Sequence, residues 1–310
     1  MKSRNGKYIL SSRHHFFTKN IFILAGVLIL AVLAAGTLLV LQQQNFFLPS
    51  FSSVYRDWEN GNYLSCYEKT GRILAKRPLD GEALALHGFS AYYLFTAQTD
   101  VSEEQDYLEK AVTSLRKSWY RVAESEKPDI AYILGKAYYQ KGFYYADLAL
   151  KYLFFALDHG AQYPDIPEFC GLSYALLEDY ENAADFFTKA LANNPSDLLL
   201  FTLAETYAKI PDYAKAKQFF TETLRVTEDD LLTLKCRNAM GRIFLSEQQY
   251  SAAETEFQAV LEKNPDSADA YYGLGLIQEA QGDMVKARSL WRRALRLNPA
   301  HTGAFAKLNG

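Results

Sequence analysis

The chain has 310 residues and a formal net charge of −3, from 33 Lys+Arg against 36 Asp+Glu, with 49% of residues hydrophobic and 15% aromatic. That apolar content offsets ordering entropy and excludes low-complexity and wholly disordered chains. The near-neutral balance argues against a protein that grips nucleic acid through a strongly basic face. The average conceals a split between the start of the chain and the rest.

Residues 1–20 form a basic tail, charged only by Lys2, Arg4, Lys7, Arg13 and Lys19, and no carboxylate precedes Asp57. Residues 21–41, IFILAGVLILAVLAAGTLLVL, are uncharged and diluted only by Gly26, Gly36 and Thr37. At the helical rise such a segment spans roughly 31 Å, about the hydrocarbon thickness of a bilayer. It therefore predicts a transmembrane helix. It is too uniformly apolar for a core helix and longer than the ~7–15 apolar residues of a cleavable signal peptide. Basic residues before the span place the N-terminus in the cytoplasm and the rest of the chain across the membrane, in the periplasm if the source is bacterial. Residues 42–51, with Pro49, read as a short spacer.

Cys66, Cys170 and Cys236 show no CxxC or Cys/His spacing and read as packed thiols rather than a disulfide framework. His14 and His15 lie in the tail, and His87, His159 and His301 are isolated. No HExxH, GxSxG, GxxxxGK[ST] or GxGxxG spacing occurs, so the sequence predicts no catalysis, no cofactor and no metal site.

The remainder repeats itself. Leu274, Gly275, Ala287, Trp291, Ala294 and Pro299, in a segment that also carries Tyr271 and Gly273, are matched one period earlier by Met240, Gly241, Ala253, Phe257, Val260 and Pro265, with Phe244 in the same frame. The frame recurs at Leu203, Ala204, Tyr207, Ala216 and Phe220, and at Cys170, Gly171, Tyr174, Ala183, Phe187, Ala190 and Pro195. These residues resemble the tetratricopeptide (TPR) repeat, a helix–turn–helix unit of about 34 residues. Small residues at repeat positions 8, 20 and 27 let helices A and B approach, and bulky residues at 7, 11 and 24 fill the space between them. Proline at position 32 stops helix B.

Seven units follow, at about 47–80, 81–127, 128–163, 164–196, 197–233, 234–267 and 268–301. The resemblance is in register over 128–301 and looser over 52–127. In the unit from residue 128, Ala149, Leu153 and Ala156 come two residues late, which lengthens the turn at Lys141-Gly142-Phe143. In the unit before it, Ser102-x-x-Gln105 reads as a capping box starting helix B near Glu103. Residues 302–310 read as a terminal cap, which a stack of repeats needs at its open end. The expected fold is an all-α TPR superhelical solenoid preceded by one transmembrane helix.

The resemblance also implies a concave groove lined by positions 2, 5, 9, 12 and 13 of the A helices. Here these are Phe89 and Tyr92; Tyr132, Lys136 and Tyr139; Glu168 and Leu172; Phe201, Glu205 and Lys209; Asn238 and Arg242; and Tyr272 and Glu279. Rings with both charge signs suit an extended or helical peptide. The residues by which some TPR domains clamp a terminal carboxylate are absent: the position 5/9 pairs include Phe201/Glu205 and Asn238/Arg242. The expected function is a membrane-anchored scaffold that holds a partner protein or peptide, for envelope assembly, secretion or quality control. A self-assembling structural membrane protein and a regulatory subunit bound through its transmembrane helix are the alternatives, and the oligomeric state stays open.

Overall fold

A computed structural model describes residues 27–37, 48–97 and 101–309. Among these all regular structure is helical. Residues 27–37 form helix α1. Among the described residues no helix is long and apolar enough to cross a membrane, so the described structure does not supply the expected span. The rest of that span, at 21–26 and 38–41, lies outside the described residues, as do the basic tail and residues 42–47 of the spacer.

The chain forms two compact units, Met1–Arg121 and Val122–Gly310. In the first, α2 (Phe51–Glu59), α3 (Tyr63–Lys76), α4 (Gly81–Ala97) and α5 (Val101–Ser118) each pack on the next. Val54, Cys66, Ile73, Ala83 and Leu86 form a buried core shared by α2, α3 and α4. α5 starts two residues before the expected Glu103, which puts Ser102 inside its first turn.

The second unit holds five hairpins and a last helix: α6 (Lys127–Gln140) with α7 (Ala146–Asp158), α8 (Ile166–Leu176) with α9 (Tyr180–Asn193), α10 (Asp197–Lys209) with α11 (Tyr213–Val226), α12 (Asp230–Ser246) with α13 (Tyr250–Lys263), α14 (Ala268–Ala280) with α15 (Met284–Leu297), and α16 (Thr302–Asn309). Each helix packs on its successor, and first helices of neighbouring hairpins also touch, as α10 does α12 and α12 does α14.

Two devices make the hairpins. Three of the five second helices start with Asx caps: Asp179, Asp212 and Asp283 accept from the backbone N–H of Asn182, Lys215 and Lys286 at 3.2, 3.1 and 3.0 Å. Each such cap satisfies an amide the helix leaves orphaned. The position-24 residues Phe187, Phe220, Phe257 and Trp291 are fully buried, each worth about 1.5–3 kcal/mol of burial. The long turn of the first hairpin is a 3-10 segment, Phe143–Tyr145, entered through Gly142 at φ +85°, where a side chain would be strained.

Polar bonds about one repeat apart close these units. Tyr163 donates to Asp129 at 2.8 Å, Thr227 to Asp197 at 2.6 Å, and Lys263 to Asp230 at 2.6 Å. In each, an aspartate in the first turn of one helix meets the segment that ends the hairpin.

Candidate partner-binding groove

The expected groove residues fall into three groups. Phe89 and Tyr92 belong to the first unit. Phe89 packs its ring 5.9 Å from that of Trp58, and Tyr92 is buried against Tyr93 and Phe95, at 6.1 and 5.8 Å.

The second group is a polar cluster at the start of the second unit. The Tyr132 hydroxyl donates to both carboxylate oxygens of Asp165, and Lys136 reaches Asp165 Oδ2 at 2.8 Å and lies 4.5 Å from the centre of the Phe169 ring. Tyr132 also stacks on Tyr163, with centroids 3.7 Å apart. Tyr139 meets Phe169 edge-on at 5.5 Å. Burial raises the carboxyl pKa of half-buried Glu168, the Asp165 charge raises it further, and Lys136 works against both. These side chains are committed to one another and join α6 to α8. Leu172 packs at the edge of the Ala183–Phe187–Leu203 core.

The third group is an open groove of about 330 Å³ between α10, α11 and α12. Glu205 and Lys209 of α10 and Arg242 of α12 line it, so three expected residues from two repeats converge here. Its apolar lining is Ala208, Tyr213, Phe220, Ala239 and Ile243, with Ser246 at the end of α12. Tyr213 and Phe220 belong to a second helix, and the inner-face positions of first helices alone could not reveal them. Phe201 stays in the core below, its ring 5.7 Å from Phe220. Asn238 is half-buried, and its Oδ1 is enclosed without a hydrogen-bond partner among the described residues. Tyr272 packs 4.8 Å from His301, and Glu279 is paired with Lys307 at 2.6 Å.

Cys66, Cys170 and Cys236 are buried and free, and burial pushes the thiols of Cys170 and Cys236 up to about 12. Among the described residues no group of three or more His, Cys, Asp or Glu could hold a metal ion.

Stacked helical hairpins with an open inner face define a class of repeat proteins that present a surface rather than an enclosed pocket. Residues 171–197 and 238–302 match tetratricopeptide-repeat family models, so the chain carries TPR repeats. The C-terminal part of a TPR repeat-containing protein from Cytophaga hutchinsonii superposes with a TM-score of 0.61 at 16% identity, covering 84% of this chain and 100% of that one. YrrB, described as a TPR protein with an unusual peptide-binding site, superposes with a TM-score of 0.50 at 21% identity over 64% of this chain and 100% of its own. At these identities the likeness is one of fold. Among curated proteins, the probable biofilm formation methyltransferase WspC of Pseudomonas putida is 43% identical over 56 residues, 18% of this chain and 13% of that protein. The chain thus spans about an eighth of that relative's length.

Proposed function

We propose that this chain is a non-catalytic scaffold held at a membrane by residues 21–41, whose TPR groove binds a segment of a partner protein. The observation that carries the reading is the convergence of Glu205, Lys209 and Arg242 on one open groove with an apolar lining. A preformed groove of this kind leaves ordering of the partner as the main entropic cost of binding. A TPR protein of the same fold, YrrB, is described as having a peptide-binding site. The membrane half rests on the uncharged run at 21–41 and the basic tail before it, which set the N-terminus in the cytoplasm and the repeats on the far side. In a bacterium with two membranes that side is the periplasm, and envelope assembly, secretion or protein quality control are the settings that need such a scaffold.

Cross-linking in native membranes, compared between the wild type and a Glu205→Ala/Lys209→Ala/Arg242→Ala variant, tests the groove. The variant should lose the wild type's cross-linked proteins while staying helical, and unchanged cross-links would refute the groove. A reporter fused after residue 310 tests the topology, and cytoplasmic reporter activity would refute the proposed orientation.

A further inference from the structure

Of the three cations expected to line the groove, only Lys136 is neutralised in place, by Asp165 at 2.8 Å. Lys209 and Arg242 are exposed, face the same groove, and form no ion pair among the described residues. Other cations nearby have partners: Lys217 meets Glu247 at 2.7 Å and Arg237 meets Glu256 at 3.0 Å. Glu205, one helical turn before Lys209 on the same helix face, has no ion pair among the described residues either, although that spacing commonly pairs opposite charges. The apolar lining of the same groove is half-buried Ala208 and Tyr213, with Ala239 and Ile243 largely covered and Phe220 fully buried beneath them. The groove therefore offers two unneutralised cations, one acceptor and an apolar floor.

Taking the groove as the binding site proposed above, we infer that it selects an internal partner segment carrying an Asp or Glu side chain next to an apolar one. The carboxylate would lie between Lys209 and Arg242, the apolar side chain against Ala208, Tyr213 and the edge of Ile243, and a flanking main-chain N–H would donate to Glu205. A side-chain carboxylate reaches the cations on a flexible stem while the main chain continues past Glu205. A chain terminus brings its charge on the main chain itself, where the Glu205 carboxylate repels it. Charge complementarity of this kind chooses among partners and speeds their encounter more than it adds raw affinity.

The test uses the full chain in detergent micelles and fluorescence anisotropy of short labelled peptides of equal length. One alternates Leu and Glu with both ends capped, one alternates Leu and Lys with both ends capped, and one alternates Leu and Gln with a free C-terminal carboxylate. The capped Leu/Glu peptide should bind, weaken as salt is raised, and bind at least about tenfold more weakly to Lys209→Gln/Arg242→Gln. The other two peptides should bind more weakly to the wild type, and circular dichroism should show the variant as helical as the wild type. Tightest binding of the free-carboxylate peptide would overturn the inference in favour of chain termini. Equal binding of all three would overturn it in favour of apolar recognition alone. If none binds while the cross-links of the scaffold test still depend on Glu205, Lys209 and Arg242, the acidic-segment inference fails and the scaffold stands. If those cross-links are unchanged in the triple variant as well, both fail.

Discussion

The Tyr132 hydroxyl donates to Asp165 through both carboxylate oxygens, at 2.9 and 2.8 Å, and so ties α6 to the residue that precedes α8. Lys136 donates to the same carboxylate at 2.8 Å and to the Tyr132 oxygen at 3.0 Å. Replacing Tyr132 by Phe keeps the ring stack on Tyr163 and removes the donor, which should cost about 1–2 kcal/mol in urea unfolding. Because Lys136 shares the acceptor, a Tyr132→Phe/Lys136→Met cycle should be non-additive by at least about 0.5 kcal/mol. Simple additivity would mean that the cluster does not act as a unit.

Gly171 stands directly against Phe187. A Cβ there would lie 2.6 Å from Cδ1 and 2.7 Å from Cε1 of a ring that is fully buried. Gly171→Ala should therefore destabilise the chain by about 1–3 kcal/mol despite the better helix propensity of alanine. Thermal unfolding of Gly171→Ala combined with Phe187→Leu should show a smaller loss than the sum of the single changes, since the smaller side chain makes room.

His87 sits inside the first unit with its ring 4.1 Å from Tyr67, edge to face, and its Nδ1 enclosed without a hydrogen-bond partner among the described residues. Burial first, and the Lys110 charge second, lower its pKa from 6.5 to about 4. The unfolded chain takes up this proton below about pH 6.5, while the folded chain resists it until about pH 4. Stability is therefore lost as pH falls through that window, by about 3 kcal/mol from this group. His87→Leu should show a shallower decline in urea midpoint between about pH 7 and pH 4.5 than the wild type, and parallel declines would refute the assignment.

The three thiols are closed to solvent, and burial raises the pKa of each. Since the thiolate is the nucleophile, a water-soluble thiol reagent near neutral pH should label none of them in the folded chain and all three after denaturation. Rapid labelling of Cys66 alone would show that the first unit opens locally.

Exposed Gln248 holds φ +60° in the turn between α12 and α13, where Gly282 occupies the equivalent place between α14 and α15 at φ +85°. Gln248→Gly should raise stability by about 0.5–1 kcal/mol, the relief of left-handed strain exceeding the entropy cost of glycine. An unchanged or lower melting point would refute this.

What the sequence made legible was the period and the small-against-large pairing, because both depend on residue size at fixed spacing. Among the residues at those A-helix positions, Glu205, Lys209 and Arg242 line one groove. The same positions also named Tyr132 and Phe201, whose side chains are buried in a polar cluster and in the core. Position in a repeat gives the direction of a side chain but not whether a neighbour has already covered it. Asp165 was missed because it lies outside the A-helix template, although it stands about one repeat after Tyr132. That interval separates Asp129 from Tyr163 and Asp230 from Lys263 too, so searching for Asp one period from Tyr or Lys would have found these closures.

The ring of Phe257 is shared. On one side it meets Gly241 of its own hairpin, where a Cβ would lie 2.7 Å from Cζ, and on the other it meets Gly273 of the next. Shortening the stack is therefore not a matter of deleting any 34 residues. A chain that lost α14 and α15 would have to bring a new glycine to that face or leave half an aromatic ring in water. The permissible lengths of this protein are thus set by which boundaries already carry a matching glycine, and the seam between α13 and α14 is one at which the array resists being cut.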